Sequence, residues 1–395
     1  MENDKNVKYQ DYKVIGLVIM IVAAAIAMNQ FKVPMIMKDV AASLHMGESS
    51  APWLMSIYTL IGIAFALPAG TLSQKYGPKK IIIMAGLMAT AGALLGALST
   101  TAAVMIVSRA IEGIGFIFLC VGAPMTIISY CAPAKIGSAM GIFAVWMPIG
   151  QIIAFNATPF MFNTMKLSWH SIWVVFAVVS LITTLAVHFV IKAPEGVDTS
   201  YQNQEKVSFL EVIKNKDLIC ASLAFASSAY LLFCVIIFFP SFAAHSRLMG
   251  VSQAGFIASI PMIASIIGCP ILGKLSESTG AKPIFVITVI VSTVATALCF
   301  IPSIPIILTA TIFLGLIGLA GPAMIFISIN SIVKNHKFVG IGTGVVITFQ
   351  NIGFFLATAT FPSIIGICGG DYTKAGLAVV PVGIFGIIMA IIAKF

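Results

Sequence analysis

Charged side chains are scarce in this chain: Asp, Glu, Lys and Arg make up 9% of 395 residues, where a water-soluble domain carries roughly 25%. So few cannot cover the surface of a soluble fold of this size, which excludes a water-soluble enzyme or binding domain. Carboxylates are the rarer sign, with 13 acidic residues against 22 basic. An intramembrane enzyme needs paired acids, a His cluster or a Ser/His arrangement within its apolar segments. The sequence offers none, so no enzymatic role is expected. The seven cysteines are odd in number and lack C-x-x-C spacing, which argues against a disulfide framework or a zinc site. The five His residues form no ligand cluster. No Gly-rich phosphate loop followed by Lys and Ser/Thr is present, so ATP-driven transport by this chain is not expected. No cofactor and no metal are expected.

Apolar residues are plentiful, at 59% with a mean hydropathy of +1.07, and they fall in blocks. These lie near 14–35, 52–72, 81–98, 103–130, 139–161 and 171–191, then near 217–240, 252–272, 283–301, 304–329, 339–363 and 373–393. Blocks of about twenty residues at 1.5 Å per residue cross a hydrocarbon core of roughly 30 Å. A spanning β-barrel would alternate in segments of about ten, and nothing here does. The fold class expected is an all-α membrane protein of twelve transmembrane helices. Ala25-Ile26-Ala27 mimics a signal-cleavage site, but the apolar run continues to Ile36, too long for a signal core, so the first helix is retained.

With the N-terminus inside, sixteen of the 22 basic residues fall on the cytoplasmic side. Four, Lys38, Lys166, Arg247 and Lys374, fall outside, and Lys32 and Arg109 fall within spans. This positive-inside bias places both termini in the cytoplasm and accounts for the net charge of +9 through topology and anionic lipid, with no nucleic-acid partner. Trp53, Trp169 and Trp173 fall near the expected outer interface, where indoles commonly sit.

The chain also repeats itself. G-T-L-S-Q-K-Y-G-P-K-K from Gly70 to Lys80 matches G-K-L-S-E-S-T-G-A-K-P from Gly273 to Pro283, 203 residues on. The same offset links Gly141 to Gly344, Gly150 to Gly353, Ala154 to Ala357 and Pro159 to Pro362. Two pseudo-symmetric six-helix bundles follow, 1–191 and 217–395, joined by a polar cytoplasmic linker, 192–216. In that linker Ser208-Phe-Leu-Glu211 has capping-box spacing. Internal repeats of this kind are characteristic of secondary transporters, whose site lies between the halves near the midplane.

On these features the chain is identified as a member of the major facilitator superfamily over essentially its whole length. Gly70, Lys75, Gly77, Lys79 and Lys80 fit that family's G-x-x-x-D-R-x-G-R-K signature, with Gln74 in place of the usual Asp. The resemblance assigns this segment to gating contacts; a tight basic turn anchoring two helices is the other reading. Arg109, Gly113 and Gly115 resemble the family's R-x-x-x-G-x-G element. In the fifth helix, Met147 and Gln151 break the Gly-Pro and Gly-Gly pattern of proton antiporters, which argues against drug efflux. N-Q-F-K-V-P from Asn29 to Pro34, with W-L-M-S from Trp53 to Ser56, resembles the cyanate and nitroimidazole-type anion permease branch.

Ionisable groups within a membrane are costly and are functional hypotheses by default. Arg109 and Glu112 share one helical face at i, i+3, as a structural pair or as substrate- and proton-handling groups. Lys32 either snorkels to the headgroups or, with Asn29 on its face, points into the cavity. Two cations against one carboxylate make an anion the more natural passenger, and Glu112 is the candidate for proton coupling. The family resemblance adds Tyr58, Gln151, Ser227, Tyr230, Gln350 and Asn351 as cavity-lining polar residues. The functional expectation is therefore a monomeric permease or symporter of the bacterial inner membrane, moving a small anion by alternating access. Its rivals are a multidrug/proton antiporter and a non-transporting membrane sensor.

Overall fold

The computed structural model describes residues 9–47, 50–132, 135–194, 214–246, 248–333 and 339–394. Among the described residues all regular structure is helical. Eleven helical segments are long and apolar enough to cross a membrane, and one further helix, Trp53–Tyr76, carries the apolar stretch Trp53–Ala66. In chain order the spans are α1 Tyr12–Phe31, α2 Trp53–Tyr76, α3 Pro78–Ala97, α4 Ala102–Tyr130, α5 Ile136–Thr164 and α6 Trp169–Val190. The second six are α7 Lys216–His245, α8 Val251–Thr279, α9 Ala281–Cys299, α10 Ile304–Ile329, α11 Val339–Ile367 and α12 Tyr372–Ile392.

Proline positions explain why several blocks are broken. Pro lacks an N–H and its ring collides with the carbonyl four residues back. Pro148 interrupts α5 between Phe143 and Trp146, and Pro322 interrupts α10 after Leu316. Pro34 ends α1 at Phe31, so the first apolar block does not run helically to residue 35; a short 3-10 turn, Pro34–Ile36, and a short helix, Met37–Ser43, that buries Met37, Val40 and Ala41, follow.

The repeat is physical. Gly77 and Gly280, 203 apart, are the entire connections from α2 to α3 and from α8 to α9, at φ 85° and 82°. With ψ near 150° this is a region open essentially to Gly alone, where another residue costs about 1–3 kcal/mol. Beyond each turn a lysine reaches the carbonyl end of the last helix of its half. Lys79 Nζ donates to His188 O at 2.9 Å and Ile191 O at 2.5 Å, and Lys282 Nζ donates to Ile391 O at 2.8 Å. A cation at helix-terminal carbonyls is favourable. Ser168 caps α6 and Asp371, 203 residues later, caps α12. A Cβ on Gly150 would stand 2.6 Å from Ala24 O, and one on Gly353 would stand 2.2 Å from Ala226 O. The α1–α5 and α7–α11 crossings are thus backbone-close, as small residues allow in membranes.

The two bundles pack alike. In one, α1 packs on α4, α5 and α6, α4 on α2 and α3, and α3 on α6. In the other, α7 packs on α10, α11 and α12, α10 on α8 and α9, and α9 on α12. Between bundles, α2 meets α11 and α5 meets α8. One end of the protein, the terminal face, gathers Gln10 beside Val190 and Lys394 beside Asp217. The hydrogen bonds described between bundles lie nearer the opposite face. Ser56 Oγ donates to Thr358 Oγ1 at 2.8 Å, and Asn156 Nδ2 donates to Ser259 Oγ at 2.8 Å. Ser56 and Ser259 are 203 apart and Asn156 and Thr358 are 202 apart, so the two bonds join corresponding helix pairs with equivalent serines and partners one residue out of register.

Three expectations change. Trp53 is 44% exposed, as an interfacial indole should be, but Trp169 and Trp173 are core residues. The segment from Gly70 to Lys80, most of which lies between the expected second and third apolar blocks, is helix on both sides of Gly77. Lys32 does not snorkel; it is 0% exposed. The Ser208–Glu211 capping box and most of the linker lie outside the described residues.

Candidate functional site

The break in α1 creates the site. Pro34 has no N–H for the carbonyl of Gln30, and the helix ends before Asn29 finds a partner, so two backbone acceptors are left deep in the protein. Arg109 on α4 takes both: Nη1 donates to Asn29 O at 2.7 Å and Nη2 to Gln30 O at 3.3 Å. Its Nε donates to Leu54 O at 3.0 Å, and its guanidinium lies over the Tyr58 ring, 4.6 Å from the centroid. Glu112, one turn further along α4, accepts from Arg109 through Oε2 and from Lys32 through Oε1, the latter at 2.7 Å. Lys32 Nζ also donates to Asn29 Oδ1 at 2.8 Å and faces Trp173 at 4.5 Å. Asn29 in turn donates to Ser180 Oγ at 2.7 Å. Arg109, Lys32, Glu112 and Asn29 are all fully buried.

Glycines on α3 make the room. A Cβ on Gly92 would stand 2.6 Å from Glu112 Cγ, and one on Gly96 would stand 2.5 Å from Trp173 Cδ1. The cluster holds two cations and one carboxylate. Its surplus positive charge sits against the carbonyl end of α1, where the helix dipole is worth roughly half a negative charge. Carried 203 residues on, Asn29, Lys32, Arg109 and Glu112 become Leu232, Val235, Ile312 and Gly315. The second half repeats the fold and omits the charges.

The sequence brings Asn29, Lys32, Arg109, Glu112 and Tyr58 into this one cluster. The other nominated residues lie elsewhere. Gln151 is buried on α5. Ser227 donates to Val382 O at 2.5 Å, and Tyr230 pairs with Thr360 at 3.0 Å. Asn351 donates to Ile347 O at 2.9 Å, and Gln350 beside it is half-buried. Of the expected gating segment, Gly70 and Lys75 belong to the end of α2, with Lys75 over the Tyr76 ring, while Lys79 holds α6 and Lys80 is exposed. Sequence reasoning passed over Gln30, Trp173 and Ser180. For Gln30 a signal existed: Pro34, four residues on, announces an acceptor in need of a donor. Asn156 bridges the bundles.

The family model of the Major Facilitator Superfamily matches residues 19–358. The chain belongs to that superfamily, whose members are transporters and not enzymes. Among curated proteins it is 29% identical over 162 residues to myo-inositol transporter 3C of Cryptococcus neoformans, covering 41% of this chain and 27% of that protein. It is 29% identical over 175 residues to the inner membrane transport protein YajR of Escherichia coli, covering 42% and 36%. The matches thus span about a quarter to a third of those proteins. Among solved structures, a mutant of the nucleoside transporter NupG superposes with a TM-score of 0.79 at 14% identity, over 96% of this superfamily member and 100% of that chain. A bacterial homologue of the human lysosomal transporter Spinster, inward-facing and unoccupied, gives 0.74 at 14%, over 97% and 96%. At such identity these establish the fold alone.

Proposed function

We propose that this protein is a secondary transporter of a small polar solute in the bacterial inner membrane, and that its two bundles rock to open a central site to one side at a time. The observation that carries the reading is the pseudo-symmetric pair of bonds, Ser56–Thr358 and Asn156–Ser259, which fastens the bundles near one face. The positive-inside distribution makes the terminal face cytoplasmic, so this arrangement is the inward-opening one, and the protein works as a monomer. Glu112 couples the cycle to protons: once protonated it no longer neutralises Lys32 and Arg109 together, and the fastening of α1 to α4 loosens. A proton myo-inositol cotransporter of Caenorhabditis elegans, 27% identical over 168 residues, is in keeping with such coupling.

An anionic solute is the second reading, favoured by the surplus positive charge of the cluster. Against it, Lys32 is turned into its own bundle and Arg109 is fully engaged. Efflux of cationic drugs finds less support, because both oxygens of Glu112 are already held.

The double variant S56C/T358C tests the mechanism in a background without the native cysteines. The hydroxyls it replaces are 2.8 Å apart, so a disulfide should form readily. Reconstituted into liposomes with a metabolite mixture and a pH gradient, the oxidised protein should carry no solute, and a reductant should restore flux. Flux that survives the crosslink would sink alternating access by these bundles.

A further inference from the structure

Beneath the fastened face lies a roof of aromatic rings drawn from both bundles. Phe31 of α1 meets Phe155 of α5 at 5.9 Å and Phe233 of α7 at 6.5 Å, and Phe233 stacks on Phe354 of α11 at 3.9 Å. The contacts continue around the centre. Asn351, one turn along α11 toward the terminal face, places its Oδ1 3.1 Å from where a Cβ of Gly62 would stand on α2. Tyr58 lies one turn from Gly62 and under Arg109, and Arg109 returns to the Gln30 carbonyl beside Phe31. Gln151 lies one turn below Phe155 on the same face of α5. Side chains from both halves are therefore packed together at the centre, with Gln30, Tyr58 and Gln151 each buried.

Three polar atoms on this circuit are buried and have no hydrogen-bond partner among the described residues: Gln30 Oε1, Tyr58 OH and Gln151 Nε2. Leaving a buried polar atom unmade costs about 1–3 kcal/mol each, a penalty that a ligand presenting matching groups would remove. All three belong to uncharged side chains, able both to donate and to accept. The charges stand behind them, engaged with one another in the Lys32–Glu112–Arg109 cluster, whose surplus cation is turned to the carbonyl end of α1. An anion would find no free cation here, whereas several hydroxyls on a compact ring would find amide, phenol and amide. The phenylalanine roof suits the apolar C–H face of such a ring. We infer that Gln30, Tyr58 and Gln151 are the solute-binding residues, and that the solute is an uncharged polyhydroxylated ring compound. This rests on the transporter reading and narrows its solute.

The test is thermal stabilisation of the purified full chain by myo-inositol and uridine, set against acetate and cyanate, in wild type, Tyr58→Phe and Gln151→Leu. One of the two neutral probes should raise the melting temperature saturably and the anions should not. Each variant should weaken the response about tenfold, as for the loss of one or two hydrogen bonds. Because each variant deletes a polar atom that has no hydrogen-bond partner among the described residues, its melting temperature without probe should be unchanged or higher. Stabilisation by the anions alone, by none of the four probes, or an unliganded Tyr58→Phe protein markedly less stable than wild type would each overturn the assignment. Failure of the transport reading is separate and shows in the S56C/T358C flux.

Discussion

Glu112→Gln is expected to lower stability by about 3–5 kcal/mol, the range for stripping one partner from a buried ion cluster. The substitution is nearly isosteric, so packing against Gly92 is preserved and the loss is electrostatic. Lys32 and Arg109 would then face one amide with no anion between them, both fully buried, and the carbonyl end of α1 offsets only about half a charge. The companion variant settles the cause. Lys32→Met in the same chain removes the second cation, and E112Q/K32M should recover most of the loss even though it carries two changes. Melting temperature and monodisperse yield in detergent, measured for wild type, both single variants and the double, complete the cycle. An E112Q protein as stable as wild type would show that the three groups do not depend on one another.

Gly255→Ala should move the protein between conformations rather than unfold it. A Cβ at this position on α8 would stand 2.3 Å from Phe155 O on α5, across the contact between bundles. Overpacking of this kind costs about 1–3 kcal/mol, charged only to the arrangement in which the bundles touch here. Since 1.4 kcal/mol is tenfold in an equilibrium, the fastened form should fall by about fivefold or more, read as a lower rate of disulfide formation in S56C/T358C. Gly353→Ala makes a comparable collision, 2.2 Å from Ala226 O, but inside one bundle, where no rocking relieves it. That variant should instead lose melting temperature. If both variants lose stability alike and neither changes crosslinking, the α5–α8 contact is a fixed interface.

These contrasts show what the sequence could and could not disclose. Helix number, the 203-residue repeat and the closeness of Arg109 to Glu112 were legible because they rest on local rules: apolar length, Gly at a turn, and the i, i+3 spacing. Lys32 was not. Its position near the end of an apolar run points to an exit to the headgroups, but Pro34 stops the helix early and the ammonium turns inward onto Glu112, Asn29 and the Trp173 ring. Nor could periodicity tell which face of a span looks inward, because lipid and protein neighbours are both apolar. The family resemblance nominates Ser227 and Tyr230 alongside Tyr58 and Gln151, although the first two have partners within their own bundle. Gln30 is hidden because its significance lies in a backbone carbonyl four residues before a proline, and in a side-chain oxygen with no partner among the described residues.

The lysines beyond the two glycine turns carry a consequence for how the protein is made. Lys79 fastens α6 to α3, and Lys282 fastens α12 to α9, so in each half the last helix to emerge from the ribosome is tied to one inserted three helices earlier. Each half can seal its own lipid-facing rim as synthesis reaches it, without waiting for the other. Joining the halves then becomes a late step between finished pieces, and a damaged second half need not drag the first into aggregation.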